Sequence, residues 1–325
     1  MLALPNNVMP KSTTDYNIDI LCDWIEGSIL FDESEDEFSV MDIVNVLTGV
    51  NALAGDDIDD IHKEYELAMT VVVDALEELK RRLSWIAPGI PFSIIDSGSV
   101  VDSQVRRINS WQDTPAHSFC ILLSLAQCYT KWRCSVPNWD YNTQGEIFEL
   151  LTQESLEKQF LDWQVKRTGW SHTEPIGLRK VVDQIAGYLG ESIGDNINEW
   201  IDSRDKDAGL DLLCYRPFPD NRTGFPVYLI QCTTAQEWWK KVGEPSVNFW
   251  RHLIKFIVPP QKAFAIPFAP NDTLFMKQCA KVEGLFLDRY RLLAPARCGE
   301  QWESSSLQDR IIKWATPKVD RLPRN

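Results

Sequence analysis

Asp211 and Gln231 are the residues whose types and spacing point most directly to chemistry. They lie in two apolar runs, LDLLCYRPF and PVYLIQCTT, separated by the turn formers PDNRTG. Such a pattern reads as a β-hairpin. The turn is centred near Asn221, with Asp211 ten residues before it and Gln231 ten after it. In a regular antiparallel hairpin those two residues face each other, side chains on one face, with Cβ atoms about 4.5–5.5 Å apart. A β-bulge would shift that register by one residue. Asp211 follows Gly209 and is flanked by leucines. A carboxylate on a mostly buried strand is costly unless it is paired or holds a metal. A carboxylate, an amide oxygen and a backbone carbonyl, here that of Cys232, form an oxygen set suited to Mg²⁺ or Mn²⁺. The plainer alternative for Asp211, and for Glu149 upstream, is a buried ion pair or a helix cap.

The order of these features adds a resemblance. A glutamate-bearing helix segment, GEIFE, then GLD at one strand, then QC at the end of the next resembles the PD-(D/E)xK, or restriction-endonuclease-like, nuclease superfamily over about residues 143–293. The resemblance implies a phosphodiesterase using Mg²⁺ or Mn²⁺. Glu149 matches the family's helical glutamate, with Glu146 as the alternative. Asp211 matches the metal-binding aspartate, and Gln231 the first position of the (E/Q)xK motif. The last position departs from the family, because Thr233 stands where a lysine is expected. Two explanations stay open. The lysine has moved to the following segment, QCTTAQEWWKK, as Lys241 or secondarily Lys240, with Trp238 or Trp239 at an aromatic position. Otherwise the site is degenerate and the chain is a structural subunit. LDRYRL (287–292) also resembles a segment found beside this fold. Arg289 and Arg291 are therefore candidates for phosphate or partner contact, and Asp288 for a structural ion pair.

The elements that must position these groups follow from periodicity. Residues 38–53 have helical spacing. Residues 57–84 have it more strongly, with Ile58, Ile61, Tyr65, Ala68, Val72, Leu76, Leu79 and Leu83 on one stripe. Asp56 or Asp57 can cap that helix, and the KRR run at 80–82 suits its C-terminal end. FSIIDSGSVV (92–101) reads as a strand or an extended segment, and 115–130 as an apolar helix led by Pro115. The character changes around KWRCSVPNWDYN (131–142), which predicts a domain boundary near 140. A helix over 143–160, capped by Asn142 or Thr143, follows. Further helices are expected at 175–189 and 193–203, in AQEWWKKV, and around 246–257. Strands are expected at 262–268 and 283–290, with a last helix near 304–313 and a basic tail loose at its end. The expected fold class is α/β. A mixed sheet flanked by helices, the restriction-endonuclease-like core, occupies 141–325, and an acidic, mainly helical region occupies 1–140.

Composition narrows the function classes. The chain has 325 residues and a net charge of −14. The charge is uneven: residues 1–78 hold 19 Asp and Glu but only Lys11 and Lys63, whereas residues 79–325 carry 28 acidic and 31 basic side chains. The runs DESEDE (32–37) and DDIDD (56–60) read as solvated loops and helix starts, or as an acidic surface that docks a basic partner. The remainder is close to neutral, which leaves phosphate contact open but predicts weak unaided DNA binding. That points to a protein working with partner subunits. No apolar run approaches the roughly 20 residues a membrane helix needs. MLALPNNVMPKSTTDY lacks a basic start and a long apolar segment, so no secretory signal is expected. The eight cysteines include no CxxC pair, which predicts reduced thiols in a cytoplasmic protein rather than a zinc site. No dinucleotide loop, Walker lysine loop, GxSxG or HExxH pattern is present. The sequence-level reading is a metal-dependent nuclease acting on nucleic acid, with DNA the favoured substrate, inside a bacterial defence or restriction-type complex. The alternative is the degenerate subunit that recruits partners through its acidic region.

Overall fold

The computed structural model describes residues 1–5, 18–49, 58–95, 98, 102–137, 139–168, 177–201 and 208–324. They divide into two compact units. The first comprises Met1–Trp139, Ala296–Gln301 and Gln308–Asn325, the second Asp140–Pro295 and Trp302–Leu307. The first crossing falls at the composition change near 140. The assignment of all of 141–325 to one domain is corrected, because the end of the chain returns to the first unit.

In the first unit, helices α1 (Ile18–Phe31), α2 (Val40–Gly49), α3 (Ile58–Ser84), α4 (Pro115–Cys128) and α5 (Thr130–Ser135) accompany three short strands. These are β1 (Glu37–Ser39), β2 (Phe92–Ile95) and β3 (Gln104–Arg107), antiparallel in the order β1-β3-β2. The helix expected from residue 38 starts at Val40 because the preceding residues pair with β3. Ser39 and Asp42 then cap it reciprocally: Ser39 N–H donates to Asp42 Oδ2 at 2.8 Å, and Asp42 N–H to Ser39 Oγ at 3.2 Å. On α3 the expected stripe buries Ala68, Val72, Leu76, Leu79 and Leu83. The side chains of Ile58 and Ile61 and the Asp56 or Asp57 cap lie outside the described residues. The last helix, α12 (Ser305–Val319), outruns its expected end at 313. Ile311, Trp314 and Ala315 are buried on it, and Ala3 N–H donates to Pro323 O at 2.9 Å. The expectation of a loose basic tail is thereby corrected through Arg324, which bridges to Leu2.

The second unit begins with α6 (Tyr141–Gln159) and β4 (Gln164–Arg167). After α7 (Leu178–Leu189), β5 (Ser192–Ile193) and α8 (Ile197–Trp200) comes the hairpin of β6 (Leu212–Tyr215) and β7 (Val227–Cys232). It closes with α9 (Val247–Leu253), β8 (Ile254–Lys255), β9 (Gln261–Ala265), α10 (Asp272–Val282), β10 (Leu285–Leu287) and α11 (Arg289–Leu293). Five strands form one mixed sheet in the order β10-β9-β7-β6-β4. β4, β6 and β7 run antiparallel, and β7, β9 and β10 run parallel. The fold class is therefore α/β with a mixed sheet flanked by helices.

Each face of the sheet has its helix. Leu178, Val181, Val182, Ile185 and Leu189 of α7, with Trp250 and Leu253 of α9, pack on Leu213, Tyr215, Val227 and Leu229. On α6 the buried residues Ile147, Phe148, Leu151, Thr152, Ser155 and Leu156 recur at helical spacing, and the helix lies beside β4 and β7. Its cap is Asp140 rather than Asn142 or Thr143: the Asp140 carboxylate accepts from Thr143 N–H at 3.0 Å. Elsewhere the expected helix over 193–203 contracts to α8, and AQEWWKKV forms only a 3₁₀ turn at Trp238–Lys240.

Candidate active site at the end of the central hairpin

The β6–β7 register runs from Leu212 opposite Ile230 to Tyr215 opposite Val227. It is centred on Asn221. The pairing does not continue in step: Asp211 N–H donates at 3.0 Å to the carbonyl of Ile230, the residue that already faces Leu212, which marks a β-bulge at the start of β6. Asp211 and Gln231 form a polar pair at this end of the hairpin.

That polar pair is held tightly. Asp211 Oδ2 accepts from Gln231 Nε2 at 2.6 Å and from Cys232 N–H at 2.6 Å. Gln231 Nε2 also donates to the carbonyl of Cys232 at 3.0 Å. A carboxylate oxygen and a carbonyl oxygen thus converge on one atom. The other end of the same amide, Gln231 Oε1, is buried and has no hydrogen-bond partner among the described residues. Gln231 as a whole is 6% exposed, and a buried acceptor left unsatisfied costs about 1–3 kcal/mol.

Glu149 stands on α6, where Arg167 of β4 donates to its Oε2 from Nε at 3.0 Å and from Nη2 at 2.7 Å. Gln144, nearer the start of α6, donates to Thr234 Oγ1 at 2.7 Å and ties the helix to the segment leaving β7. The Cys232 thiol connects the two halves of the site. Burial raises its pKa well above the usual thiol range, and the charges of Asp211 and Glu149 raise it further. A hydrogen bond with Thr152 and the charge of Arg167 oppose them. Both carboxylates therefore act on one thiol. Glu146, the alternative helical glutamate, lies half-buried one turn earlier on α6.

The remaining candidates are placed differently. Thr233 is buried, donates its N–H to Ala265 O at 3.0 Å, and accepts from Ala235 N–H at 3.2 Å. Lys241 is exposed, and its ammonium makes no hydrogen bond or ion pair among the described residues. Lys240 pairs with Glu237 at 2.6 Å. Trp238 is buried against Phe286, whereas Trp239 is exposed. Arg289 is fully buried with Nε donating to Pro267 O at 3.2 Å, which puts it in the packing of the unit rather than on a contact surface. Arg291 is exposed, but it donates to Phe286 O at 2.8 Å and lies over the Phe275 ring. Asp288 caps α11 by accepting from Arg291 N–H at 3.0 Å.

Three residues at the site carried no sequence signal: Thr152, Arg167 and Glu244. Arg167 sits on a short polar strand, QVKR, with no alternation long enough to read. Glu244 comes into place through the turn after Lys241, where its N–H donates to Lys241 O at 2.9 Å. Its Oε2 lies 3.1 Å from the position a Cβ on Gly209 would take, and Gln231 Oε1 lies 3.1 Å from that same position.

Among the described residues no group of three or more His, Cys, Asp and Glu gathers in a way that could hold a metal ion. The cluster here is oxygen-rich through an amide and a carbonyl instead. Asp211 Oδ2 and Cys232 O face the amide nitrogen of Gln231 and not its oxygen, so a hard divalent cation would fit this oxygen set only with that amide reversed. No described helix is long and apolar enough to cross a membrane. No family model, curated protein or solved structure matches this chain.

Proposed function

We propose that the second unit is a metal-dependent nuclease of the restriction-endonuclease-like kind, hydrolysing phosphodiester bonds of nucleic acid, with DNA the favoured substrate. The observation that carries this reading is the convergence of Asp211 Oδ2 and Cys232 O on the Gln231 amide at the end of the central hairpin. The chain order of Glu149 on α6, Asp211 just before β6 and Gln231 on β7 supports the reading. Asp211, Gln231 and the Cys232 carbonyl would hold Mg²⁺ or Mn²⁺, with Glu149 alongside. Such an ion supplies Lewis-acid polarisation of the phosphate and lowers the pKa of water.

The chain's own groups have separate tasks. The Cys232 N–H fixes the Asp211 carboxylate at the strand end, and Arg167 fixes Glu149 in a two-pronged pair. Lys241, on the turn that leads to Glu244, has an uncommitted ammonium for a phosphate oxygen. Residues 79–325 carry 31 basic against 28 acidic side chains, too little excess for strong phosphate neutralisation. The nuclease therefore acts with protein partner subunits that deliver nucleic acid, in a cytoplasmic defence or restriction-type complex.

One observation favours a second reading, a catalytically degenerate subunit that recruits partners through its acidic N-terminal region: Thr233 is buried where the motif calls for a lysine. Nicking of supercoiled plasmid in Mg²⁺ or Mn²⁺ separates the two. The nuclease reading expects cleavage that falls on the order of 10²–10³-fold in Asp211→Ala, the loss typical of one charge-stabilising group, and that also falls in Lys241→Ala. Cleavage untouched by Asp211→Ala removes this site. A wild type that nicks nothing in either metal with its partner subunits present, while still forming the complex, sustains the second reading.

A further inference from the structure

The orientation of the Gln231 amide sets a problem that one neighbour solves. Its Nε2 donates to Asp211 Oδ2 and Cys232 O. Its Oε1 is buried without a partner among the described residues and lies beside Gly209, where the Glu244 carboxylate also approaches. Gly209 has φ +72° and no side chain, and a Cβ there would fall 2.9 Å from Glu244 Cβ and 3.1 Å from both oxygens. Glycine leaves that position open and permits the left-handed backbone. An amide oxygen and a carboxylate oxygen, both acceptors, thus lie at the same distance from one point beside Gly209.

Turning the amide over removes the conflict. The terminal torsion of glutamine is soft, and a half-turn exchanges N and O in place. Oε1 then joins Asp211 Oδ2 and Cys232 O, while Nε2 meets Glu244. Without a cation, three oxygens would crowd one point, so Nε2 stays inward. With a cation the reversed orientation is the satisfied one.

We infer that Glu244 is the positioning residue for Gln231: its carboxylate accepts from Nε2 once the amide oxygen turns toward Asp211 and Cys232 to bind a divalent cation. This rests on the reading of these oxygens as a cation site. Partners behind a metal ligand orient it, and losing one typically weakens metal binding about 10–100-fold. Glu244 does this for an amide that otherwise presents the wrong atom.

The test is Mn²⁺ affinity of the full chain, read from the electron paramagnetic resonance signal of free Mn²⁺. Glu244→Ala is expected to weaken binding about tenfold or more. Glu244→Gln, whose amide oxygen still accepts, stays close to wild type. In a Gln231→Glu background the Nε2 donor is gone, so adding Glu244→Ala no longer weakens binding. Equal loss in Glu244→Ala and Glu244→Gln, or the same loss with and without Gln231→Glu, would overturn the inference by making Glu244 a charge or a direct ligand. No loss in Glu244→Ala overturns it as well. Asp211→Asn separates the two levels: if it binds Mn²⁺ like the wild type, or if the wild type does not bind, the cation site itself is wrong and the inference goes with it.

Discussion

A thiol inside the cluster reports on the carboxylates around it. Burial, then the charges of Asp211 and Glu149, push the Cys232 pKa up, so the thiol stays protonated at neutral pH. The thiolate is the form that alkylates. Cys134 and Cys298 are exposed, and peptide mapping after iodoacetamide treatment at about pH 8 should find them labelled well before Cys232. Replacing a negative neighbour in Asp211→Asn or Glu149→Gln lowers the Cys232 pKa, so its labelling should begin at lower pH than in the wild type. Cys232 reacting as fast as Cys134, or a pH onset that neither substitution moves, would contradict the described surroundings. At this scale the sequence was half legible. Asp211 and Gln231 could be matched because a symmetric turn converts sequence distance from Asn221 into approximate register, and the bulge at Asp211, which offsets that register, still leaves the two side chains hydrogen-bonded. Lys241 could not be placed this way, since aiming it required a helix where the chain forms one 3₁₀ turn. Glu244 gave no signal at all, because its approach to Gly209 is a contact between segments that no local pattern records.

The elements that hold the site pack on an apolar core that includes one fully buried tryptophan. Trp250 of α9 is fully buried among Leu213, Leu229 and the apolar side of α7. Its truncation to alanine should cost about 3–5 kcal/mol, as for other large aromatic deletions in cores. The exposed Trp239 should cost under about 0.5 kcal/mol. Urea unfolding curves would show the first as a lower midpoint at similar slope; equal midpoints for the two variants would contradict the core described for this unit. Long, strongly periodic elements were legible: α3, α4 and α6 lie close to where their apolar spacing placed them. β4 was missed because only Val165 of its four residues is buried. α10 was missed because only Gln278 and Val282 are buried on it, too thin a stripe to recognise. The start of α2 moved because tertiary pairing of β1 with β3 outweighed helical spacing.

For the molecule as a whole, charge and chain path carry different information. The boundary near 140 was readable as a change in composition. The return of the C-terminal helix to the first unit was not, because an amphipathic stripe shows that a helix packs but not on which core. Acidity concentrated in the first quarter gives the two halves of the sequence opposite balances, and total charge alone would have argued against any nucleic-acid role. The account turns on a divalent cation at the end of the β6–β7 hairpin, and crystals soaked in Mn²⁺ and measured at an anomalous wavelength test it most directly. The predicted result is a peak about 2.1 Å from Asp211 Oδ2, the Cys232 carbonyl oxygen and a reoriented Gln231 Oε1. A map without that peak, in which Gln231 Nε2 still donates to Asp211 at saturating Mn²⁺, would contradict it.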